Sequence, residues 1–265
     1  MINKILRPLI KRLPENNRIE LIWKLAQVDF KKRYYNDSLG LFWALLNPIF
    51  RILIYFIVFT HVFQVKQENY AIFRFGGLIL WITFTESCNK GLKLHKTKRY
   101  LIENIQFNHV DLYRSMILST FIGFGFNLGI YFLALLVFGF TFTPYFFLLP
   151  LLIYNSYLIS MGAAMLLTVI HIYIKDIAHL WTIIMLFGFW TSGVFLRGER
   201  FLEIFPALVY INPFVGIIMN MRAITFDGGS PDWYLMLIGY LWGFSILVIG
   251  RTVYSRLSHK SLEYQ

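Results

Sequence analysis

The sequence predicts an all-α membrane protein that crosses the bilayer with about six helices. Hydrophobic residues make up 57% of the 265 residues and aromatic residues 19%, which is too apolar for an ordinary soluble domain. Several apolar runs approach the ~20 residues needed to cross the hydrocarbon core. The lysines and arginines cluster beside these runs, as they do in cytoplasmic loops of membrane proteins. The net charge of +11 therefore indicates orientation in a membrane and no nucleic-acid partner.

The first 38 residues (1–38) are predicted to form a basic cytoplasmic arm followed by an amphipathic helix. In residues 19–35, polar side chains recur at helical spacing on one face and apolar side chains on the other. This pattern is typical of a helix that lies in the membrane surface. Anchoring to the membrane and docking of a partner protein both account for it. A side-chain cap from Asn36, Asp37 or Ser38 is expected where the next helix begins.

Residues 39–265 form the predicted membrane domain. Its loops alternate between basic and nearly uncharged ones, which places both chain ends in the cytoplasm. The predicted spans are residues 42–63, 71–88, 116–138, 145–170, 177–196 and 233–253. We expect no cleaved signal peptide, because no short apolar core with a small-residue cleavage site follows the first basic residues.

Residues 89–111 form the most charged internal segment, and the positive-inside rule places it in the cytoplasm. The segment is longer than a tight helical hairpin needs. A solvated loop and a helix that docks on a soluble partner are both consistent with its composition. Together with the amphipathic helix it supplies the candidate contacts for such a partner, which are Lys24, Lys31, Lys93, Lys96, Arg99 and Glu103.

Residues 199–229 break the pattern of spans. They contain an apolar stretch that Pro206 and Pro213 interrupt, since each proline removes a backbone donor and clashes with the preceding turn. Counting this stretch as a full span would place the basic C-terminus outside, against the positive-inside rule. We therefore expect a re-entrant pair of short helices that forms an outer gate. The candidate gate residues are Pro206, Tyr210, Asn212, Pro213 and Phe214.

No pattern of a catalytic, cofactor or metal site is present in the sequence. It lacks a glycine-rich phosphate loop of the Walker type and an HExxH arrangement, and its one cysteine, Cys88, has no partner for a disulfide. We therefore expect no catalytic residue, no bound cofactor and no metal in this chain. Acidic residues deep in the predicted spans are nearly absent, which argues against a carrier driven by protons or sodium ions.

Aromatic residues at helical spacing are the remaining candidates for contact with a substrate. Tyr55 and Phe59 are four residues apart on the first predicted span, Phe187 and Trp190 are three apart on the fifth, and Phe84 lies on the second. Such stripes more often face lipid or pack inside a protein. The alternative is a lining that stacks on sugar rings, whose C–H faces are apolar.

Three groups of short motifs follow one another along the chain. Arg33-Tyr34, Ser38-Leu-Gly40, Trp43-Ala44 and Asn47-Pro48 surround the start of the first span, His171-Ile-Tyr-Ile-Lys-Asp176 precedes the fifth, and Tyr210-Ile-Asn-Pro-Phe214 precedes the last. In this order they resemble the permease subunits of ABC exporters for O-antigen, capsular and teichoic polymers, over about residues 19–253. The O-antigen type is the most similar in appearance.

The resemblance implies a homodimeric permease with two copies of a separate ABC ATPase, which binds ATP and Mg. The cargo would be a lipid-linked polysaccharide on polyprenyl diphosphate, moved outward across the bacterial cytoplasmic (inner) membrane, and the chain itself would not be an enzyme. The first, second and fifth spans would face the pathway, which makes the five aromatic residues named above its candidate lining. Membrane lipid would surround the rest.

Two other functions are consistent with a polytopic membrane protein. A membrane enzyme of cell-envelope glycan assembly would need a polar catalytic cluster at the interface, and the spacing of residues assembles none. A secondary flippase would show midplane charges or an internal repeat, and the sequence shows neither clearly.

Overall fold

In the computed structural model, residues 18–34, 37–64, 69–104, 108–195, 203–204 and 206–261 are described, except for the side chains of residues 103, 104, 109 and 258–261. These residues form ten α-helices, numbered here in chain order. They are α1 Arg18–Tyr34, α2 Trp43–Ile57, α3 Tyr70–Leu92, α4 Leu94–Asn104, α5 His109–Val137, α6 Leu149–Tyr173, α7 Ile177–Thr191, α8 Pro206–Ile211, α9 Pro213–Thr225 and α10 Trp233–Ser261. The described ranges contain no β-strand, which agrees with the predicted all-α fold.

Among the described residues, five helical segments are long and apolar enough to cross a membrane, so the chain is a multi-pass membrane protein. They are Gly40–Val62, Tyr70–Leu92, Val110–Val137, Pro144–Tyr173 and Trp233–Leu257, and they coincide with the first four predicted spans and the last. The fifth predicted span corresponds to α7, which has 15 residues and is about 22 Å long at 1.5 Å per residue. The total of six spans therefore stays a prediction.

α7 is shorter than its apolar sequence suggests because a glycine turn ends it. Ser192 is the C-cap residue, and Gly193 follows with a φ of +79°. Glycine adopts this left-handed conformation without a steric penalty and commonly terminates helices in this way. Of the predicted fifth span, residues 177–196, the described helix therefore covers only Ile177–Thr191.

The first span begins with a 3₁₀ turn, Gly40–Phe42, and not with a side-chain cap. Leu39 occupies the N-cap position without a side-chain hydrogen bond, and the backbone N–H of Gly40 donates to the carbonyl of Asp37 at 2.9 Å. The predicted capping by Asp37 or Ser38 is wrong because this backbone turn opens the helix, while Asn36 lies outside the described residues.

α3 lies at the centre of the helix bundle. In its apolar stretch of 18 residues, 83% is buried inside the protein, whereas in the corresponding stretch of the first span only 11% is buried. Glycines allow the closest helix crossings around it, as small residues commonly do between membrane helices. A Cβ on Gly91 would lie 2.8 Å from the backbone of Ala164 in α6, and a Cβ on Gly162 would lie 2.6 Å from the backbone of Ile246 in α10.

The two ends of the bundle differ in character. At one end, called the basic end, Arg18 at the start of α1 pairs with Asp111 at the start of α5. From there α1 packs along α5 as far as Phe126, whose ring stacks on that of Phe30 at 5.5 Å. α4 lies at the same end, since its Lys98 pairs with Asp29 of α1. α3 runs about 35 Å from Tyr70 to this end. The end at which Tyr70 lies is called the remote end.

Candidate functional site

Ion pairs between helices join α1 to the bundle at the basic end. They connect α1 to α4, α3 and α5 in turn, through Asp29–Lys98, Arg33–Glu86 and Arg18–Asp111. The predicted amphipathic helix therefore contacts the charged segment 89–111 at Lys98 and at Asp111. One helix is thus tied by ion pairs to three others.

Two carboxylates in this network each have a second basic partner. Glu86 also forms an ion pair with Lys90, with 2.9 Å between Oε1 and Nζ. The buried Asp111 also forms an ion pair with Arg114, with 3.1 Å between Oδ1 and Nη1. The hydrogen bond and the negative charge of Asp111 raise the pKa of the Arg18 guanidinium above its ordinary value. Asp111 is thus a fixed anchor for the first residue of α1.

The residues predicted to contact a soluble partner are mostly exposed at the basic end. Four of the six are exposed: Lys31, Lys93, Lys96 and Arg99. Lys24 is half-buried and forms an ion pair with Glu20 within α1, and the side chain of Glu103 lies outside the described residues.

α4 presents a basic face to the outside and an apolar face to the bundle. Lys96 and Arg99 of α4, and Lys93 just before its first residue, follow one another at a spacing of three residues, which places them on one side of the helix. Leu94 and Leu101 are buried among residues of α5, α6 and α10. The apolar face packs α4 against the bundle, and the side chains of Lys93, Lys96 and Arg99 are exposed on the opposite side.

Towards the C-terminus of the chain, two short helices occur where the sequence predicts them. Pro206 begins α8 and Pro213 begins α9, a position at which the missing N–H leaves no helical hydrogen bond unmade. Asn212 between them is not helical, and its side chain accepts the N–H of Phe214 at 3.1 Å. The apolar stretch is therefore divided into two helices, each of which begins with one of the two prolines.

The junction between α8 and α9 lies deep in the bundle. The ring of Phe214 packs on those of Phe84 at 4.4 Å and Trp81 at 5.6 Å, and Trp81 lies about 16 Å along α3 from Tyr70. Asn212 donates to the carbonyl of Thr191 at 3.2 Å, which ties the junction to the end of α7. From here α9 returns along α3 towards the remote end.

Arg222 fastens α9 at the remote end. The residue is 3% exposed, and its guanidinium donates to the backbone carbonyls of Phe73, Gly193 and Val194 at 3.1, 2.7 and 2.6 Å. Its charge also lies 3.8 Å from the centroid of the Phe73 ring. Gly77 leaves the room for it, since a Cβ there would lie 2.8 Å from Arg222 Nη2. One side chain thus joins α9, α3 and the turn after α7.

Further hydrogen bonds fix α8 and α9 against α10. Asn220 of α9 donates to the carbonyl of Asp232 at 3.1 Å and accepts its N–H at 2.7 Å. The indole N–H of Trp242 in α10 donates to the carbonyl of Tyr210 at 2.8 Å. The two short helices are therefore held on both sides, by α3 and by α10.

The structure separates the candidate gate residues. Tyr210 is exposed, Asn212 is engaged in the cap of α9, and Phe214 is buried. Pro206 is exposed and Pro213 is half-buried.

The five candidate lining residues also fall into separate groups. The rings of Tyr55 and Phe59 lie 6.0 Å apart on the first span. Phe187 and Trp190 of α7 are 68% and 61% exposed. Phe84 is 7% exposed and is covered by Phe214. The structure thus places four of the five on the little-buried first span and α7, and the fifth inside the bundle.

Two arginines at the remote end were not among the predicted site residues. One is Arg222, and the other is Arg74, which is enclosed by the rings of Phe59, Tyr70 and Phe195. A signal for Arg74 was present, since it is a basic residue within a predicted span, where charges usually have a function. In the described part of the chain, no three His, Cys, Asp or Glu side chains lie close enough to ligate one metal ion.

The chain matches known proteins over most of its length. Residues 20–226 match the family model described as ABC-2 type transporter. Two proteins of Klebsiella pneumoniae, both named O-antigen export system permease protein RfbA, are 21% and 20% identical to it over 245 residues, which cover 92% of this chain and 94% of each relative. A protein of the same name from Myxococcus xanthus is 25% identical over 217 residues, which cover 80% of this chain and 82% of that protein.

Proposed function

Since the chain belongs to the ABC-2 type transporter family of membrane proteins, we propose that it is the permease subunit of an ATP-driven exporter of a lipid-linked, O-antigen-like polysaccharide. The observation that carries this proposal is the likeness to O-antigen export permeases over 92% of the chain. Two copies of the chain form the path through the bacterial cytoplasmic membrane, and two copies of a separate ABC ATPase bind and hydrolyse ATP with Mg. The chain itself is not an enzyme.

The basic end is the part that receives the motion of the ATPase. The exposed basic face of α4 and the charged side of α1 contact the ATPase, whose closure on ATP pushes both helices. The ion pairs of α1 with α3 and α5 pass this push to the membrane helices, because tightly packed helices move as rigid bodies.

The path itself lies between the two copies. The first span and α7 have large exposed apolar faces, which in a membrane contact either lipid or a second copy of the chain. Tyr55, Phe59, Phe187 and Trp190 lie on these two segments and are available to stack on sugar rings. Phe84 reaches the path only when α9 moves, because Phe214 covers it in this structure.

α8 and α9 form a re-entrant pair at the outer end of that path. Their junction lies at the middle of α3, and the outer end of α9 is held by Arg222 and Asn220. Such broken helices are tolerated at membrane depth when they pack against protein or line water. Movement of this pair opens and closes the exit.

This arrangement predicts the side of the membrane on which two points of the chain lie. The reporter is an enzyme that is active only outside the cytoplasmic membrane. Fused after Gly229, it is expected to be active, because the re-entrant pair returns to the side from which it came. The same reporter fused after Gln265 is expected to read as cytoplasmic. If the fusion after Gly229 reads as cytoplasmic and the fusion after Gln265 as external, α8 and α9 cross the membrane and the gate proposal fails.

The function is tested by reconstitution in proteoliposomes with the cognate ABC ATPase and a polyprenyl-diphosphate-linked polysaccharide. We expect transfer of the polysaccharide to require ATP, this chain and an active ATPase together. A complex with an ATPase unable to hydrolyse ATP serves as the control. ATP hydrolysis by this chain alone, or transfer without the ATPase, would contradict the proposal.

A further inference from the structure

Arg74 is enclosed by three aromatic rings at the remote end of α3. Its guanidinium carbon lies 4.1 Å from the ring centroids of Phe59, Tyr70 and Phe195. The three rings come from three different segments, namely the first span, α3 and the turn after α7. The residue is only 8% exposed, so it does not simply extend into water.

The hydrogen-bonding groups of Arg74 are not satisfied by its surroundings. Within the described part of the chain, its Nε and Nη1 are buried and have no hydrogen-bond acceptor. Aromatic faces attract a cation, but they are weak acceptors for its N–H groups. A buried donor without a partner destabilises a protein by about 1–3 kcal/mol, and more when it is charged. Arg222, which is also buried, shows the alternative, since its guanidinium donates to three carbonyls.

The rings around Arg74 are held in place by contacts of their own. The hydroxyl of Tyr70 donates to the carbonyl of Phe195 at 3.3 Å, and the rings of Tyr70 and Phe59 meet edge to face at 5.2 Å. Phe59 lies in a π-helical turn, Val58–Val62, a distortion that often accompanies functional sites. The cage therefore exists before any ligand enters it.

A small cavity adjoins two of these rings. It has a volume of about 50 Å³, and Phe59, Tyr70, Thr60 and Asn69 are among the residues that line it.

The level of the guanidinium indicates the kind of anion it meets. Side chains on a helix lean towards its N-terminus, which for α3 is the remote end, and Arg74 accordingly lies over the ring of Tyr70 one turn closer to that end. The guanidinium therefore lies close to the start of the span at Tyr70. Phosphate groups of membrane lipids lie at this level, beside the end of the hydrocarbon core.

We propose that Arg74 and the rings of Phe59, Tyr70 and Phe195 form a binding site for a phosphate group carried by a lipid. Guanidinium groups form strong, charge-assisted hydrogen bonds with phosphate, which would satisfy the donors that the chain leaves open. The aromatic rings match the apolar part of the same molecule. The phosphate comes either from a membrane phospholipid or from the isoprenoid diphosphate of the cargo. Only the second source, and the location at the outer surface, rest on the proposed function.

The site is tested by thermal unfolding of the purified chain in detergent, without the ATPase. The probes are farnesyl diphosphate and dihexanoyl phosphatidylglycerol, and farnesol is the uncharged control. A saturating phosphate lipid is expected to raise the Tm by several degrees, because it binds the folded state alone. Farnesol is expected to leave the Tm unchanged.

Substitutions identify the residue responsible. Arg74→Gln is expected to weaken binding of the phosphate lipid at least ~10-fold, the effect of losing one charged hydrogen-bond partner. Phe195→Leu removes one ring and keeps the charge, so it is expected to weaken binding less. Arg51→Gln is the matched control, since Arg51 is an exposed arginine on the first span and its loss should leave binding unchanged.

Each outcome decides the proposal. A shift with farnesyl diphosphate alone assigns the site to the cargo, and a shift with phosphatidylglycerol alone assigns it to the surrounding membrane. The absence of a shift with both probes in the unmodified chain overturns the proposal. Unchanged binding in folded Arg74→Gln does so as well, and if that variant does not fold, unchanged binding in Phe195→Leu is decisive. Because no ATPase is used, failure here leaves the proposed function untouched.

Discussion

Arg222→Met is expected to lower the Tm of the chain by about 6–12 °C. The substitution keeps much of the apolar length of the side chain but removes every donor to the carbonyls of Phe73, Gly193 and Val194. Hydrogen bonds to a charged group contribute about 1.5–3 kcal/mol each. We therefore expect a loss of at least about 3 kcal/mol, which in a chain of this size corresponds to the stated shift.

The measurement is thermal unfolding in detergent, followed by the export assay on protein that remains folded. Arg222→Lys keeps the positive charge but has one ammonium group for three acceptors, so an intermediate Tm is expected. Arg251→Gln is the control, because Arg251 is exposed on α10. An Arg222→Met chain that unfolds at the same temperature as Arg251→Gln would show that α9 does not depend on this side chain.

The membrane character and the helical fold were predictable because they depend on local composition. An apolar run of about 20 residues has few alternatives to a helix in lipid, since every backbone group must be bonded within the segment. The prolines at 206 and 213 predicted a break for the same reason, and both begin a helix.

The end of α7 was not predictable from hydropathy. Its sequence stays apolar beyond Thr191, and only the left-handed conformation of Gly193 ends the helix. The missed cap at Gly40 is a similar case, because a glycine turn replaced the side-chain cap that the neighbouring polar residues favoured.

Contacts between distant residues were beyond a single sequence. Arg222 meets the carbonyl of Phe73, which lies 149 residues earlier, and no local pattern links the two. Helical spacing likewise shows that aromatic residues share a side of a helix, but not which side is buried. Phe84 and Phe187 had equal standing as lining candidates, yet Phe84 lies inside the bundle and Phe187 on its surface.

The double charge reversal Lys93→Glu/Lys96→Glu is expected to abolish export and to weaken binding of the ATPase at least ~10-fold. Both side chains are exposed at the basic end, and the apolar face of α4 that holds the helix in place is left unchanged. Placing like charges opposite each other in an interface costs up to several kcal/mol. The chain should therefore fold and reach the membrane normally while failing to recruit its ATPase.

Copurification of the ATPase with the detergent-solubilised chain measures this effect, at low and at high salt. The matched control is Arg251→Glu/Arg256→Glu, which makes the same change in charge at two exposed residues of α10. Tyr254, between them, lies 6.4 Å from His95 of α4 by ring centroids, so the control tests the same end of the bundle. We expect the control to retain the ATPase. For the native chain, binding should fall as salt rises, because exposed charges are screened, and the reversal should remove most of this dependence. If the two double variants bind the ATPase equally well, the basic face of α4 is not the contact surface.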